Sequence, residues 1–261
     1  MTADRILTAA ADGIGILTIN RPKVLNALDM PTLLDLEMAF EQLEQDAGVR
    51  VIILTGAGEK AFVAGGDIAD LSSRHGLRHF QEFAEVVHRV FRGIEACDKP
   101  TIAAVNGYAL GGGTELILAT DIRILADTAR LGLPEITLGL FPGAGGTQRI
   151  IRQVPLCRAK EIMFTGEHIS ADEAVAIGLA NRVVPRAELL PAAKTLAAKI
   201  AAKSPLVLKL LKRTLRHGSE MPLSAALAYE QAMIGLVFDT EDSKEGCGAF
   251  MEKRQARFTG R

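Results

Sequence analysis

The sequence predicts an α/β fold that is followed by a part made only of helices. Strand-like and helix-like segments alternate from residue 5 to about residue 184, which is the order typical of α/β proteins. Val51 to Leu54 is a short run without a polar residue, which indicates a strand covered on both faces. From Arg186 onward the pattern changes to one helix after another. We therefore expect a core of residues 1–185 and a helical part of residues 186–261.

The elements of the core follow from local signals along the chain. Two strand patterns are joined through the turn residues Asp12 and Gly13. Pro31 indicates a helix start, because proline is favoured in the first helical turn, and apolar residues follow it at helical spacing. Three glycines at residues 111–113 open a later apolar helix. The strands expected from these patterns are residues 5–8, 14–19, 51–54, 101–105 and 121–125.

The C-terminal helices also have recognisable starts. Ser204 and Pro205 provide a cap and a first-turn proline, and Pro222 begins the next helix. Asp242, with Glu245 three residues later, is similar to a capping box for the last helix. Residues 205–238 carry few charges for helices in water, so we expect them to pack on the core or on another subunit.

Composition excludes several functional classes. Thirty basic and 31 acidic residues give a net charge of −1, so the chain as a whole attracts neither nucleic acid nor an anionic membrane. No apolar run approaches the roughly 20 residues of a membrane helix, and Asp4 and Asp12 interrupt the N-terminal segment where a signal sequence needs an apolar stretch. The three widely spaced cysteines suit free thiols in a reducing compartment. We expect a cytoplasmic protein without nucleic-acid or membrane partners.

The start of the glycine-rich helix is the first candidate for chemistry. The first N–H groups of a helix have no partner inside it, and glycines leave them open to close approach by another molecule. They suit an oxygen that becomes negative during a reaction. Glu115 lies one turn after Gly112 on the same face, among apolar neighbours that should raise its pKa. Glu135, after a strand-like segment, is a second candidate acid.

Several motifs, in the same order along essentially the whole chain, closely resemble the enoyl-CoA hydratase/isomerase (crotonase) family. They are the segments Asn20–Leu28, Phe62–Ile68, Val105–Glu115, Gly132–Glu135, Phe141–Arg149 and Ala249–Arg254. The resemblance implies a crotonase-like spiral of repeated ββα units with a helical C-terminal part that forms trimers, alone or as a dimer of trimers. It implies an acyl-CoA thioester substrate and no cofactor, since coenzyme A enters as part of the substrate.

The resemblance also implies roles for individual residues. Gly66 and Gly112 match the two oxyanion donors, and Glu115 and Glu135 match the two carboxyl groups that handle protons around a water molecule. The positions that match substrate and coenzyme A contacts are Lys23, Leu25, Ala27, Ala64, Asp67, Ile68 and Gly143, with Phe250 and Lys253 reaching the ligand of a neighbouring subunit. Some hydratases carry a lysine where this chain has Ala69.

The implied reaction is the syn-type addition of water to a trans-2-enoyl-CoA, giving a 3-hydroxyacyl-CoA in fatty-acid or related acyl-CoA degradation. A Δ3,Δ2-enoyl-CoA isomerase, or another acyl-CoA-converting crotonase, is the alternative within the fold. An isomerase can manage with one carboxylate, so acids at both Glu115 and Glu135 favour the hydratase. Sequence leaves open which acid donates and which accepts a proton.

Three other motifs give weaker evidence of function. Gly56, Gly58 and Ala61 fit a dinucleotide pattern, but no helix signal begins inside it, as that motif requires. His75 and His79 have the spacing of two metal ligands on one helix face, yet no third ligand joins them, so no metal site is expected. The arginines of residues 74–92 alternate with glutamates, which disfavours the RNA-binding function of some relatives.

Overall fold

The computed structural model describes residues 4–261 and has two sheets, between which successive strands alternate from residue 51 to residue 132. The larger sheet has six strands in the order β1-β2-β3-β5-β7-β10, and the smaller has four in the order β4-β6-β8-β9. The strands are β1 (Ile6–Ala11), β2 (Ile14–Ile19), β3 (Val51–Gly56), β4 (Ala61–Val63), β5 (Thr101–Val105), β6 (Tyr108–Leu110), β7 (Ile122–Ala126), β8 (Arg130–Gly132), β9 (Ile169–Ser170) and β10 (Arg182–Val184).

Twelve α-helices lie between and after the strands of the described chain. The helices are α1 (Met30–Gln45), α2 (Ile68–Ser72), α3 (Gly76–His79), α4 (Glu85–Ala96), α5 (Gly112–Leu118), α6 (Gly146–Ile150), α7 (Leu156–Thr165), α8 (Ala171–Ala176), α9 (Leu189–Ala201), α10 (Pro205–Gly218), α11 (Leu223–Phe238) and α12 (Glu241–Met251). A π-helical turn at residues 80–84 joins α3 to α4.

The path of the chain confirms the predicted spiral of ββα units. One strand enters the larger sheet, the next enters the smaller sheet, and one or more helices return the chain; β3–β4, β5–β6 and β7–β8 repeat this order. Neighbouring strands within this spiral pair in parallel, whereas β1–β2 and β8–β9 pair antiparallel. The C-terminal ends of β4 and β6 therefore lie side by side, with the loop of residues 64–67 next to the start of α5.

The continuously apolar strands are explained by two hydrophobic layers. Alternate residues of β3 face opposite sides: Ile52 and Leu54 belong to the central core cluster, whereas Val51 and Ile53 belong to a second cluster that α9 covers. Each layer takes every second side chain of the strand, so both faces need apolar residues.

The C-terminal helices confirm one predicted cap and correct another. The Ser204 side chain accepts a hydrogen bond from the Val207 N–H, as predicted for the start of α10. The cap of α12 is Thr240, which accepts from the Ser243 N–H, and the prediction from Asp242 was wrong. The carboxylate of Asp242 is buried, and it accepts from the Ser204 hydroxyl as well as from backbone N–H groups near the C-terminus. None of the helices within residues 4–261 is both long and apolar enough to cross a membrane.

Candidate active site

Gly66 and Gly112 lie next to each other, as the resemblance implied. A Cβ added to Gly112 would stand 3.6 Å from the backbone nitrogen of Gly66. The Gly66 N–H has no acceptor within residues 4–261, because its bridge to Leu28 uses the flanking groups of Gly65 and Asp67. The Gly112 N–H is the first of α5 and has no partner inside that helix. Both glycines are partly exposed, so two open N–H donors are available side by side.

Backbone hydrogen bonds hold the donor loop, residues 64–67, which carries the Gly66 N–H. The Leu28 N–H donates to the Gly65 carbonyl, and the Asp67 N–H donates to the Leu28 carbonyl. The Asp67 carboxylate then accepts from the first N–H groups of α2. Asp67 is therefore a helix cap in this chain, while Ile68 begins the helix with an exposed side chain.

Glu115 is fixed by two backbone N–H groups from a distant loop. Its Oε1 accepts from the Ala144 nitrogen at 2.7 Å and from the Gly146 nitrogen at 2.8 Å. The residue is buried, with 3% of its surface exposed, on the first turn of α5. Burial raises the pKa of Glu115, as the sequence predicted, while these two N–H groups and the charge of Arg149 act in the opposite direction.

Glu135 lies on the 3-10 helix of residues 134–138, which follows β8. Its Oε1 lies 2.9 Å from the place where a Cβ on Gly111 would stand, so the carboxyl group packs against the start of α5. Gly111 has a φ of 51°, a conformation that favours glycine. No protein group in the described part of the chain donates to the buried Oε2 of Glu135.

The pKa of Glu135 is raised to about 7, mainly by burial and further by the nearby charge of Glu115. The two carboxyl groups thus differ in environment: Glu115 has two N–H donors, and Glu135 has its own N–H alone. Two interacting acids in unequal surroundings have proton affinities that are pushed apart. The arrangement can hold one proton on one of these carboxyl groups and one negative charge on the other.

The segment that the resemblance assigned to coenzyme A is an exposed turn beside the donor loop. Lys23 lies in a short 3-10 helix, and Leu25 has the left-handed conformation. The Leu25 carbonyl accepts from the Ala64 N–H, while the Ala27 carbonyl accepts from the Arg21 side chain. The structure thus brings this turn against the strand end that leads to Gly66.

Sequence reasoning gave no role to Asn26, which holds this turn together. Its Nδ2 donates to the carbonyls of Ala57 and Ala61, and its Oδ1 accepts from the Arg21 N–H. Asn26 is fully buried with a φ of 59°. Asparagine tolerates this conformation better than most residues, and this preference is the only signal that sequence offers.

The remaining predicted contacts lie elsewhere in the chain. Gly143 is exposed in the loop that supplies the Glu115 donors. Phe250 and Lys253 lie at and just beyond the end of α12; the Phe250 side chain is 83% exposed, and the Lys253 side chain forms no salt bridge within the described chain. His75 and His79 form no metal-type cluster either, since residues 4–261 contain no group of three or more potential metal ligands.

The fold and this pairing of open N–H groups with one buried and one half-buried carboxyl group define a crotonase-type protein. Its backbone superposes with a TM-score of 0.94 on the crystal structure of an enoyl-CoA hydratase from Bacillus anthracis, at 40% identity and covering 98% of this chain and 100% of that one. A structure of enoyl-CoA hydratase subunit I from Geobacillus kaustophilus gives the same score at 38% identity, covering 98% of each chain.

The chain belongs to the enoyl-CoA hydratase/isomerase family, whose model matches residues 9–261. It is 44% identical to the short-chain-enoyl-CoA hydratase of Clostridium acetobutylicum, over 98% of this chain and 97% of that protein. It is also 44% identical to the crotonyl-CoA hydratase of Syntrophomonas wolfei, over 99% of each.

Proposed function

We propose that the protein is an enoyl-CoA hydratase, a hydro-lyase that adds water to a trans-2-enoyl-CoA in syn fashion to give a 3-hydroxyacyl-CoA. The observation that carries this proposal is the unequal pair of carboxyl groups, Glu115 and Glu135, beside the open N–H groups of Gly66 and Gly112. Relatives named short-chain-enoyl-CoA hydratase and crotonyl-CoA hydratase support it.

The thioester carbonyl oxygen is held between the N–H groups of Gly66 and Gly112. Negative charge collects on this oxygen when water attacks the β-carbon, because the electrons of the double bond move toward the thioester. Two N–H donors that are already in place stabilise this charge without reorganising during the reaction. The dipole of α5, which starts at Gly112, acts in the same direction.

The carboxyl groups divide the proton transfers. Glu115 carries the negative charge, since its Oε1 accepts two N–H bonds, and it takes a proton from the attacking water. Glu135 carries the proton, in line with its raised pKa, and delivers it to the α-carbon. The products are the 3-hydroxyacyl-CoA and an enzyme in which one proton has moved from Glu135 to Glu115. Exchange of that proton through solvent restores the starting state.

Coenzyme A is bound by residues around this centre and enters as part of the substrate. In the proposal the turn with Lys23, Leu25 and Ala27 holds the nucleotide and pantetheine end, largely through backbone groups. The other assigned contacts are Ala64, Asp67, Ile68 and Gly143 from the same subunit, and Phe250 and Lys253 from a neighbour. Every proton transfer uses a carboxyl group of the chain, so the proposed reaction needs no cofactor.

The proposal is tested by mixing the purified protein with crotonyl-CoA and following the enoyl absorbance. A hydratase removes the absorbance and forms 3-hydroxybutyryl-CoA, which chromatography identifies. An isomerase leaves crotonyl-CoA intact but converts a 3-enoyl-CoA into the 2-enoyl isomer. Persistence of crotonyl-CoA alongside conversion of the 3-enoyl substrate would replace the hydratase by the isomerase.

The pH dependence should reveal the protonated acid. We expect kcat/KM for crotonyl-CoA to fall as pH rises through about 7, because Glu135 must be protonated to donate and its pKa is raised to about that value. On the acid side kcat/KM should fall again as Glu115 becomes protonated and stops accepting a proton. A stopped-flow profile from acidic to alkaline pH measures both limbs, and a rate that stays level through neutrality would contradict the role of Glu135.

The division into a core of residues 1–185 and a C-terminal helical part also belongs to this proposal, with the second part forming the contacts between subunits. The helices α10 and α11 pack against each other, and no residue of either is buried in the described single chain. Leu215, Leu223 and Phe238 each have more than half of their surface exposed. Helices this apolar need a partner surface.

We expect light scattering in dilute buffer to give the mass of a trimer or of a dimer of trimers. The physical reason is the burial of the exposed leucines of α10 and α11 between subunits, which removes apolar surface from water. A stable monomer with full hydratase activity would contradict both the assembly and the coenzyme A contact from a neighbouring subunit.

A further inference from the structure

The loop that fixes Glu115 is itself held by Arg149. The Nη1 of Arg149 donates to the Ala144 carbonyl at 3.1 Å, and the guanidinium lies directly beside Gly145. A Cβ on Gly145 would stand only 2.1 Å from Nη1, so the loop follows the surface of the guanidinium at this point. The Arg149 backbone N–H also donates to the Gly145 carbonyl.

The contact between Arg149 and the loop controls the direction of the two N–H groups that donate hydrogen bonds to Glu115. The Ala144 N–H points to Glu115, and the carbonyl of the same residue points to Arg149. The Gly146 N–H, two residues later in the chain, donates to the same Oε1 of Glu115. Because each peptide unit is planar, holding the Ala144 carbonyl fixes the orientation of the unit between the two donors.

The other end of Arg149 is anchored on α4. Its Nε and Nη2 donate to the two carboxylate oxygens of Glu95, at 3.0 and 2.8 Å, in the parallel arrangement that gives arginine pairs their geometric specificity. The Arg149 side chain is 11% exposed. His88, two turns earlier on α4, faces the Gly143 backbone at the start of the loop. The loop is thus clamped to a long helix that carries no catalytic group.

We propose that Arg149 is a positioning residue for hydration: braced by Glu95, it holds the Ala144 and Gly146 N–H groups on Glu115 and so keeps this carboxylate in place to accept the water proton. This inference rests on the proposed function and adds to it a residue that does not touch the substrate. Arg149 acts through the loop and through its charge, and the two effects can be separated by substitution.

The charged and titratable groups around Glu115 come from four elements. Glu135 faces it from the 3-10 helix after β8, and Arg149 faces it from α6. Glu95 and His88 of α4 face Arg149 and the loop. Glu115 is itself on α5. Removing Arg149 takes away the cation and loosens the donors, and both changes favour the protonated form of Glu115.

The informative variants are Arg149→Met and Arg149→Lys, with Arg152→Met as the matched control. Arg152 lies three residues on and pairs with Glu220 at the exposed surface, so its loss should leave the loop unchanged. Lysine keeps the positive charge but cannot span Glu95 and the Ala144 carbonyl with a planar fork. If Arg149 acted through its charge alone, lysine would restore the activity; if Arg149 positions the loop, lysine would not restore it.

We expect Arg149→Met to lower kcat for crotonyl-CoA by roughly 10-fold or more, because small displacements of a catalytic group are costly. KM should change little, since the proposed function gives Arg149 no contact with coenzyme A. The acid limb of the kcat/KM profile should move to higher pH. The kcat of Arg149→Lys should be closer to that of Arg149→Met than to that of the wild type. Glu95→Gln should show a smaller loss of kcat.

Hydrogen exchange gives a readout that needs no activity. Mass spectrometry of the peptide covering residues 142–150 should show faster exchange of the Ala144 and Gly146 amides in Arg149→Met, and unchanged exchange in Arg152→Met. Unaltered exchange, or an acid limb that does not move, in an otherwise active enzyme would overturn the inference alone. A wild-type protein that leaves crotonyl-CoA untouched would overturn the proposed function, and exchange would then decide whether Arg149 holds the loop.

Discussion

Replacing either Glu115 or Glu135 with Gln should lower kcat for crotonyl-CoA hydration by at least about 10²-fold, the lower end for a positioned acid or base. The carboxamide has almost the shape of the carboxyl group but neither accepts nor donates a proton in the neutral range. At Glu115 the remaining carbonyl oxygen can still accept the Ala144 and Gly146 N–H bonds, so the loop should keep its place. The loss therefore reports chemistry rather than folding.

The two variants should differ in their pH dependence. In Glu115→Gln, the neighbouring charge that raises the pKa of Glu135 is gone, so the alkaline limb of the residual activity should move to lower pH. In Glu135→Gln, the alkaline limb that belongs to Glu135 should vanish. Steady-state kinetics with crotonyl-CoA measure both effects, and each 10-fold loss corresponds to about 1.4 kcal/mol of transition-state stabilisation.

The control for both is Glu161→Gln, which removes an exposed carboxylate on α7 that pairs with Arg158. Exposed ion pairs contribute about 0–1 kcal/mol, so this variant should keep its activity and its fold. Near wild-type hydration by Glu115→Gln or Glu135→Gln would remove that residue from the mechanism.

Sequence alone predicted most of the fold, because its strands and helices depend on local patterns. The apolar strands, the alternation of strands and helices and the glycine start of α5 are all short-range features, and the structure contains them. The family resemblance implied a pair of donors at Gly66 and Gly112, and the parallel pairing of β4 with β6 is what brings these two residues together.

The features that sequence missed depend on contacts between distant residues. The N–H groups that hold Glu115 come from residues 29 and 31 positions later, and Arg149 pairs with a glutamate 54 positions earlier. The wrong cap at Asp242 has the same cause. Its capping pattern is local, but its carboxylate is instead used by Ser204 and by the C-terminal backbone, which approach it only in the fold.

The close approach of α5 to β4 leads to the largest expected effect on stability. A Cβ on Gly113 would stand 2.0 Å from the Val63 carbonyl oxygen and 2.9 Å from its carbon, both of which are backbone atoms. A flexible side chain could move aside, but here the helix and the strand must separate. Alanine normally favours a helix over glycine by about 1 kcal/mol, and this gain is too small to offset the clash.

We expect Gly113→Ala to lower the free energy of unfolding by about 3 kcal/mol, the upper end of the usual cost of overpacking a core. Urea unfolding of both proteins at one protomer concentration measures the difference, because the stability of an oligomer depends on concentration. The midpoint should fall while the slope with urea stays the same. Hydration should decline as well, since separating α5 from β4 moves the Gly112 N–H away from that of Gly66.

The matched control is Gly93→Ala, which makes the same change inside α4, where an added Cβ meets no atom within 4 Å. This substitution should raise the free energy of unfolding by about 0.5–1 kcal/mol, since alanine loses less backbone freedom on folding than glycine. The two variants therefore have the same chemistry and opposite expected signs. If Gly113→Ala were as stable as Gly93→Ala, the close contact between α5 and β4 could not be what requires glycine beside the Gly112 donor.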